Sequence, residues 1–221
     1  MNLVSSKFKS QAILRGGMAL YLLNSKRYTN DLDYAFVPYK SKNDILKPLL
    51  SCLDEVENLK YTYSLNSKCL RIIVEYENFK CQLEVKVFKE LESIPIVVDS
   101  YINKTIPDFV VRIANLEWAL SNKIAAWVER RLARDLYDIY FINSILGINP
   151  DFLTLRKRLQ KIEYSKNIEN SSSKLTIKEF VDFLEKAMTG INQDLLRNEL
   201  RDYFSEKDLY GLDLKIINSL G

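Results

Sequence analysis

The stretch FKCQLEVKVF, residues 79–88, alternates without a slip. Phe79, Cys81, Leu83, Val85 and Val87 fall on one side; Lys80, Gln82, Glu84 and Lys86 fall on the other. A two-residue period of this length demands a strand with one buried and one polar face. The run from Lys68 to Tyr76 carries Leu70, Ile72, Ile73 and Val74, and only Glu77-Asn78 separates it from the alternating stretch. Two residues of that kind suit a tight hairpin. A half-buried antiparallel sheet with one polar face is therefore the fixed point of the fold.

Other segments arrange themselves around it. Residues 3–12 read as a short helix and Ala12–Leu14 as a brief strand running into Gly16-Gly17. Met18–Leu23 are helical, and Leu32–Val37 form a strand closed by Pro38. From Ser41 to Leu59, Ile45, Leu49, Leu50, Leu53 and Val56 recur at helical spacing, with Ser41 or Asn43 as cap. The texture changes between Glu90 and Asn115. Leu116–Asn143 is a long helical pattern with a break near Arg130, and further helices fit 151–163, 176–188, 192–203 and 205–219. Ser171–Ser173 and Gly190 mark loops. The expected fold is α/β (α+β), a mixed sheet flanked by helices over residues 1–110, followed by an all-helical bundle over residues 111–221.

The polar side of the sheet carries the chemistry. Asp31 and Asp33 are two apart in a strand and project together. Two such carboxylates repel unless a cation or base lies between them. Glu84 has apolar neighbours on both sides, like the two aspartates. If its strand lies beside Leu32–Val37, three hard oxygen donors converge and suit Mg²⁺ or Mn²⁺. Two such ions can clamp the attacking and leaving oxygens of a phosphoryl or nucleotidyl transfer. Gly16-Gly17 turns the chain so that backbone N–H groups can face a phosphate. Arg27 and Thr29, just before Asp31, suit phosphate contacts. Each feature alone has a plainer reading, a solvated strand edge or a simple turn; their order and spacing together favour the site.

Composition removes competitors. The chain of 221 residues has no histidine. That excludes Ser-His-Asp triads, Cys-His pairs and HExxH zinc helices. Three cysteines, none in a CxxC pair, point to reduced thiols in a cytoplasm. The polar N-terminus is unlike a signal peptide, and no apolar run is long enough for a membrane span. A net charge of +3 permits nucleic acid as a partner without arguing for it.

The ordered set resembles the nucleotidyltransferase superfamily pattern: hG[GS], a short gap, Dh[DE]h, and a third acid on a later strand. Here it reads Leu14-Arg15-Gly16-Gly17, then Asp31-Leu32-Asp33-Tyr34, then Glu84. Arg15 stands where that pattern has an apolar residue. The branch it looks most like is the AbiEii/AbiGii toxin family of type IV toxin–antitoxin systems, with GG-x-AL and then R-x-[ST]-x-D-x-D. The chain has Gly16-Gly17-Met18-Ala19-Leu20 and Arg27-Tyr28-Thr29-Asn30-Asp31-Leu32-Asp33. A second block of that family, a helix with a lysine, then an arginine, then RDxxD, is matched by Lys123, Arg130 and Arg134-Asp135-Leu136-Tyr137-Asp138. Without the first block, these charges would read as a salt-bridged, solvated helix face.

The resemblance implies a metal-dependent enzyme moving a nucleotide from an NTP to an acceptor. Asp31, Asp33 and Glu84 would hold the metal. Gly16, Gly17, Arg27, Thr29 and Lys123 would hold the triphosphate, with Asp135 or Asp138 positioning Lys123 or Arg134. It also implies a cytoplasmic toxin, a cognate antitoxin and tRNA or a protein hydroxyl as acceptor. Transfer to a small molecule, plain phosphoryl transfer, and a non-catalytic nucleotide- or partner-binding role remain open. Tyr61, Tyr63, Tyr137 and Tyr140 could stack on bases, but core packing suits them better. The basic run Arg156–Lys161 reads as a solvated face or a track for a phosphate backbone.

Overall fold

The computed structural model describes residues 1–98, 108–159 and 192–220. The helix expected over 176–188 and the loops at Ser171–Ser173 and Gly190 lie outside the described residues. The chain forms two compact units, Met1–Asn115 and Leu116–Gly221.

The first unit opens with α1 (Asn2–Phe8) and a 3₁₀ turn, followed by β1 (Ala12–Arg15), α2 (Gly16–Tyr21), β2 (Asp31–Phe36) and α3 (Lys42–Asp54). The strands β3 (Lys60–Leu65), β4 (Leu70–Tyr76) and β5 (Phe79–Val87) form a meander, and β6 (Ser93–Val98) and β7 (Phe109–Ala114) form a second antiparallel pair. All seven join one mixed sheet in the order β3-β4-β5-β2-β1-β7-β6. Only the β2–β5 and β1–β7 contacts are parallel.

Alternation decides which face is core. Leu14, Tyr34, Phe36, Leu70, Ile72, Leu83, Val85, Val111 and Ile113 are buried and share one face. Phe8 of α1 meets Phe36 edge-on, with ring centroids 5.0 Å apart. Helix α3 packs against α1 and β5 and buries Ile45, Leu49, Cys52 and Leu53. Each such aliphatic or aromatic side chain contributes about 1.5–3 kcal/mol when withdrawn from water. A one-residue slip of β2 would turn Tyr34 and Phe36 outward, so the core locks the register of the polar face behind it. Ser41 caps α3 as its sequence suggests. Its Oγ accepts the Asn43 N–H at 3.1 Å, and Asp44 Oδ2 accepts the Ser41 N–H at 3.0 Å.

Three strands exceed the sequence expectation. β3 contains Tyr61 and Tyr63 and is an exposed edge strand, while β6 and β7 lie within the segment read as a boundary region.

The second unit begins with α4 (Leu116–Arg130), which stops where Arg131 adopts φ 55°. The chain restarts as α5 (Ala133–Tyr140) and runs into a π-helical turn, Phe141–Ile145. Then follow α6 (Phe152–Leu159), α7 (Gln193–Leu200), a 3₁₀ turn at Arg201–Tyr203, α8 (Glu206–Leu209) and α9 (Leu212–Leu220). Helix α5 packs on α4, α7 and α9. Tyr137 and Tyr140 are buried here, and the Tyr137 ring meets Phe204 with centroids 4.6 Å apart. They are core residues rather than a base-stacking platform.

Candidate active site

Cross-strand register assembles the first cluster. Arg71 on β4 pairs with Glu84 on β5, Glu84 with Asp33 on β2, and Asp33 with Arg15 on β1. Paired residues point to the same face. The polar face therefore carries one row across four strands whose charges run plus, minus, minus, plus. Asp31 shares that face but pairs with Gln82. It lies one pleat, about 6.6 Å of strand, from Asp33. The sheet thus brings Asp33 and Glu84 side by side and leaves Asp31 a step along. Among the described residues, no group of three His, Cys, Asp or Glu side chains converges closely enough to cage a metal ion.

Cations surround the acids. Lys86 Nζ lies 3.0 Å from Glu84 Oε1, and Arg71 Nη2 lies 3.8 Å from Oε2. Arg15 Nη2 is 3.7 Å from both Asp33 Oδ1 and Glu84 Oε1. Burial by itself would raise the Glu84 pKa. The hydrogen bond from Lys86 and the charges of Lys86, Arg15 and Arg71 outweigh it and hold the carboxyl below its ordinary range. Two hard oxygen donors on adjacent strands, with a third carboxylate one pleat away, match the donor chemistry of a divalent cation. Arg15 already brings positive charge to the two that meet.

The glycines are spacers for this row. Gly16 has φ +73°, and a Cβ placed there would collide with the Asp33 carboxylate. A Cβ on Gly17 would collide with the Arg27 guanidinium and approach Thr29 Cβ to 3.3 Å. Gly16 and Gly17 therefore let Asp33, Arg27 and Thr29 close over the start of α2. Arg27 is buried, and Thr29 Oγ1 accepts the Asp31 N–H at 3.3 Å, fixing the entry into β2.

The second cluster lies in the helical unit. Asp135 and Asp138 are both wholly buried on α5. Lys123 Nζ is 2.5 Å from Asp138 Oδ2 and 3.7 Å from Asp135 Oδ1. Arg130 grips Asp135 with both prongs of its guanidinium, at 2.6 and 2.7 Å. That hydrogen bonding raises the Arg130 pKa. Full burial of both carboxylates rules out a solvated helix face. The acids orient Lys123 and Arg130, whereas Arg134 turns away to the Tyr203 hydroxyl at 3.3 Å.

Arg71 and Lys86 were not singled out from sequence as site residues. Alternation had put Lys86 on the polar face with Glu84, and the hairpin register would have placed Arg71 opposite it. Arg15 stood out only as a departure from an apolar pattern position.

The family profile described as "Nucleotidyl transferase AbiEii toxin, Type IV TA system" matches residues 2–216. A sequence comparison with curated proteins gives no match. Among solved structures, MenT4, a nucleotidyltransferase toxin from Mycobacterium tuberculosis H37Rv, superposes with a TM-score of 0.61 at 13% identity. That alignment covers 100% of this chain and 78% of the other. JHP933 from Helicobacter pylori superposes with a TM-score of 0.53 at 19% identity, over 99% of this chain and 86% of that one. At these identities the likeness carries the fold. Among the described residues, no helix is long and apolar enough to cross a membrane.

Proposed function

Since the chain belongs to the AbiEii nucleotidyltransferase toxin family of type IV toxin–antitoxin systems, we propose that Asp31, Asp33 and Glu84 carry a metal-dependent transfer of a nucleoside monophosphate from an NTP to an acceptor hydroxyl. The observation that carries this reading is the Arg71–Glu84–Asp33–Arg15 row, with Asp31 on the same face. Asp31 and Asp33 would hold the divalent cation, Mg²⁺ or Mn²⁺, with Glu84 beside them. When bound there, the cation supplies charge neutralisation for the attacking and leaving oxygens.

The chain's own groups do the rest. The backbone at Gly16-Gly17 with Arg27 and Thr29 receives the phosphates. Lys123, oriented by Asp138 and Asp135, is the phosphate-binding cation of the helical unit. The acceptor oxygen attacks the α-phosphorus, the bond to the bridging oxygen breaks, and pyrophosphate leaves. Glu84, kept ionised by Lys86, Arg71 and Arg15, is a weak base. It suits orienting the hydroxyl, whose proton passes on to solvent. tRNA or a protein hydroxyl serves as acceptor, and a cognate antitoxin silences the enzyme in the cytoplasm.

The test incubates the full chain with Mg²⁺ or Mn²⁺, each α-³²P-labelled NTP, and either total tRNA or cell lysate. Label should move to a macromolecule with the native protein and stay free with the Asp31→Ala/Asp33→Ala double variant. Equal labelling by both would overturn the assignment of these carboxylates.

A further inference from the structure

Arg15 is held in an unusual way. Its Nη2 stands 3.7 Å from Asp33 and 3.7 Å from Glu84, within ion-pair range of both but beyond hydrogen-bond distance of either. Its Nε and Nη2 are buried and have no hydrogen-bond partner. A guanidinium has five N–H donors, and leaving buried ones unmet is costly. Between the two carboxylates, Nε and Nη2 therefore supply charge without a hydrogen bond. The other cations near Glu84 are wetter: the Arg71 and Lys86 side chains are 48% and 39% exposed, against 18% for Arg15. Lys86, at 3.0 Å, already makes a hydrogen-bonded ion pair. Arg15 alone combines a central place in the row with unused donors.

An arginine with spare donors beside a phosphate site has an obvious better partner. Phosphate oxygens accept the planar, forked N–H array in bidentate fashion. A divalent cation competes for the same two carboxylates that now hold Arg15. We propose that Arg15 is the resident counter-cation of the Asp33–Glu84 pair, that it opposes binding of free divalent metal there, and that its guanidinium passes to the triphosphate when the nucleotide arrives. Metal then enters with the nucleotide rather than ahead of it. This inference rests on the metal and nucleotide site proposed above.

The test uses the full-length chain without nucleotide and titrates Mn²⁺, following the free-ion EPR signal. Arg15→Met removes the charge at similar length, and Arg15→Gln is the second variant should the first fold poorly by circular dichroism. Arg15→Lys keeps the charge. Mn²⁺ should bind Arg15→Met about tenfold more tightly than the native chain, because a unit positive charge near the ion is gone. Arg15→Lys should stay near native. In EDTA, calorimetry with inorganic triphosphate should show about tenfold weaker binding to Arg15→Met.

Unchanged or weaker Mn²⁺ binding by folded Arg15→Met and Arg15→Gln overturns the competition, and unchanged triphosphate binding overturns the hand-over. Asp31→Asn/Asp33→Asn separates this from the parent reading. If that variant loses the Mn²⁺ bound by the native chain while Arg15→Met matches native, only the Arg15 proposal falls. If no variant binds Mn²⁺ alone, the Arg15 proposal falls; if the native chain also fails to bind it with a non-hydrolysable NTP present, the parent reading falls too.

Discussion

Gly16→Ala separates backbone strain from interference with Asp33. At φ +73° an alanine pays roughly 1–2 kcal/mol relative to glycine simply for the left-handed backbone. The new methyl also strikes the Asp33 carboxylate, which must leave its rotamer at a further cost of roughly 0.5–1.5 kcal/mol. The expected loss is about 1.5–3.5 kcal/mol in urea unfolding followed by far-UV circular dichroism. Gly147→Ala is the built-in control. Its φ is +69°, but a Cβ there meets nothing within 4 Å, so only the backbone cost of roughly 1–2 kcal/mol applies. Function should divide the two more sharply than stability. On the proposed role of Asp33, displacing its carboxylate by about 1 Å should lower transfer on the order of 100-fold, whereas Gly147→Ala should retain activity within about twofold, a difference of about 0.4 kcal/mol. Native-level transfer by a folded Gly16→Ala enzyme would refute the claim that Asp33 must sit against that glycine.

Other outcomes follow from the same geometry. Asp135→Ala takes from Arg130 its forked partner and leaves Lys123 with Asp138 alone, and should cost about 3 kcal/mol. Trp118 and Trp127 both lie on α4, so their fluorescence should report the shift, and a loss under about 1 kcal/mol would count against a structural role for the network. Glu84 has a depressed folded pKa, so its stabilising contribution is present above its ordinary value of 4.5 and fades as pH falls through the lower folded value. Glu84→Gln should therefore show a shallower acid-side fall in melting temperature than the native chain between about pH 5 and pH 3; parallel curves would mean the surrounding cations do not matter to the carboxylate. Phe36→Ala removes a ring wholly enclosed by Phe8 and its neighbours and should destabilise the sheet by about 3–5 kcal/mol in urea titration.

Much of the first unit was legible because its signals are local. The alternation of Phe79–Val87, the Glu77-Asn78 hairpin and the Ser41 cap each depend on residues close in sequence, and all three stand in the structure as read. The missed strands are those whose stability comes from elsewhere. β3, KYTYSL, is an edge with little burial and a mostly polar composition, held by its ladder to β4. β7 gains its place by running parallel to β1, across roughly a hundred residues of chain, and no local pattern encodes such a partner. The break after Arg130 was visible as a loss of helical pattern, and Arg131 at φ 55° is its physical form.

The acids of the candidate site were legible for a simple reason: two carboxylates two residues apart in an apolar strand are costly and therefore conspicuous. Of their counter-charges, Lys86 follows from alternation and Arg71 from the hairpin, but Arg15 was hidden, because its place beside Asp33 and Glu84 is a matter of register between strands distant in sequence. Arg71, Lys86 and Arg15 lie far apart in sequence from one another, yet all three come within 3.8 Å of Glu84. The register that gathers them is fixed by Tyr34, Phe36, Leu83 and Val85 on the opposite face, which must stay buried. Core packing thus sets the electrostatics of the site from behind the sheet. A substitution that loosens the core without touching a charged residue, such as Phe36→Ala, should for that reason weaken transfer by more than the unfolded fraction accounts for.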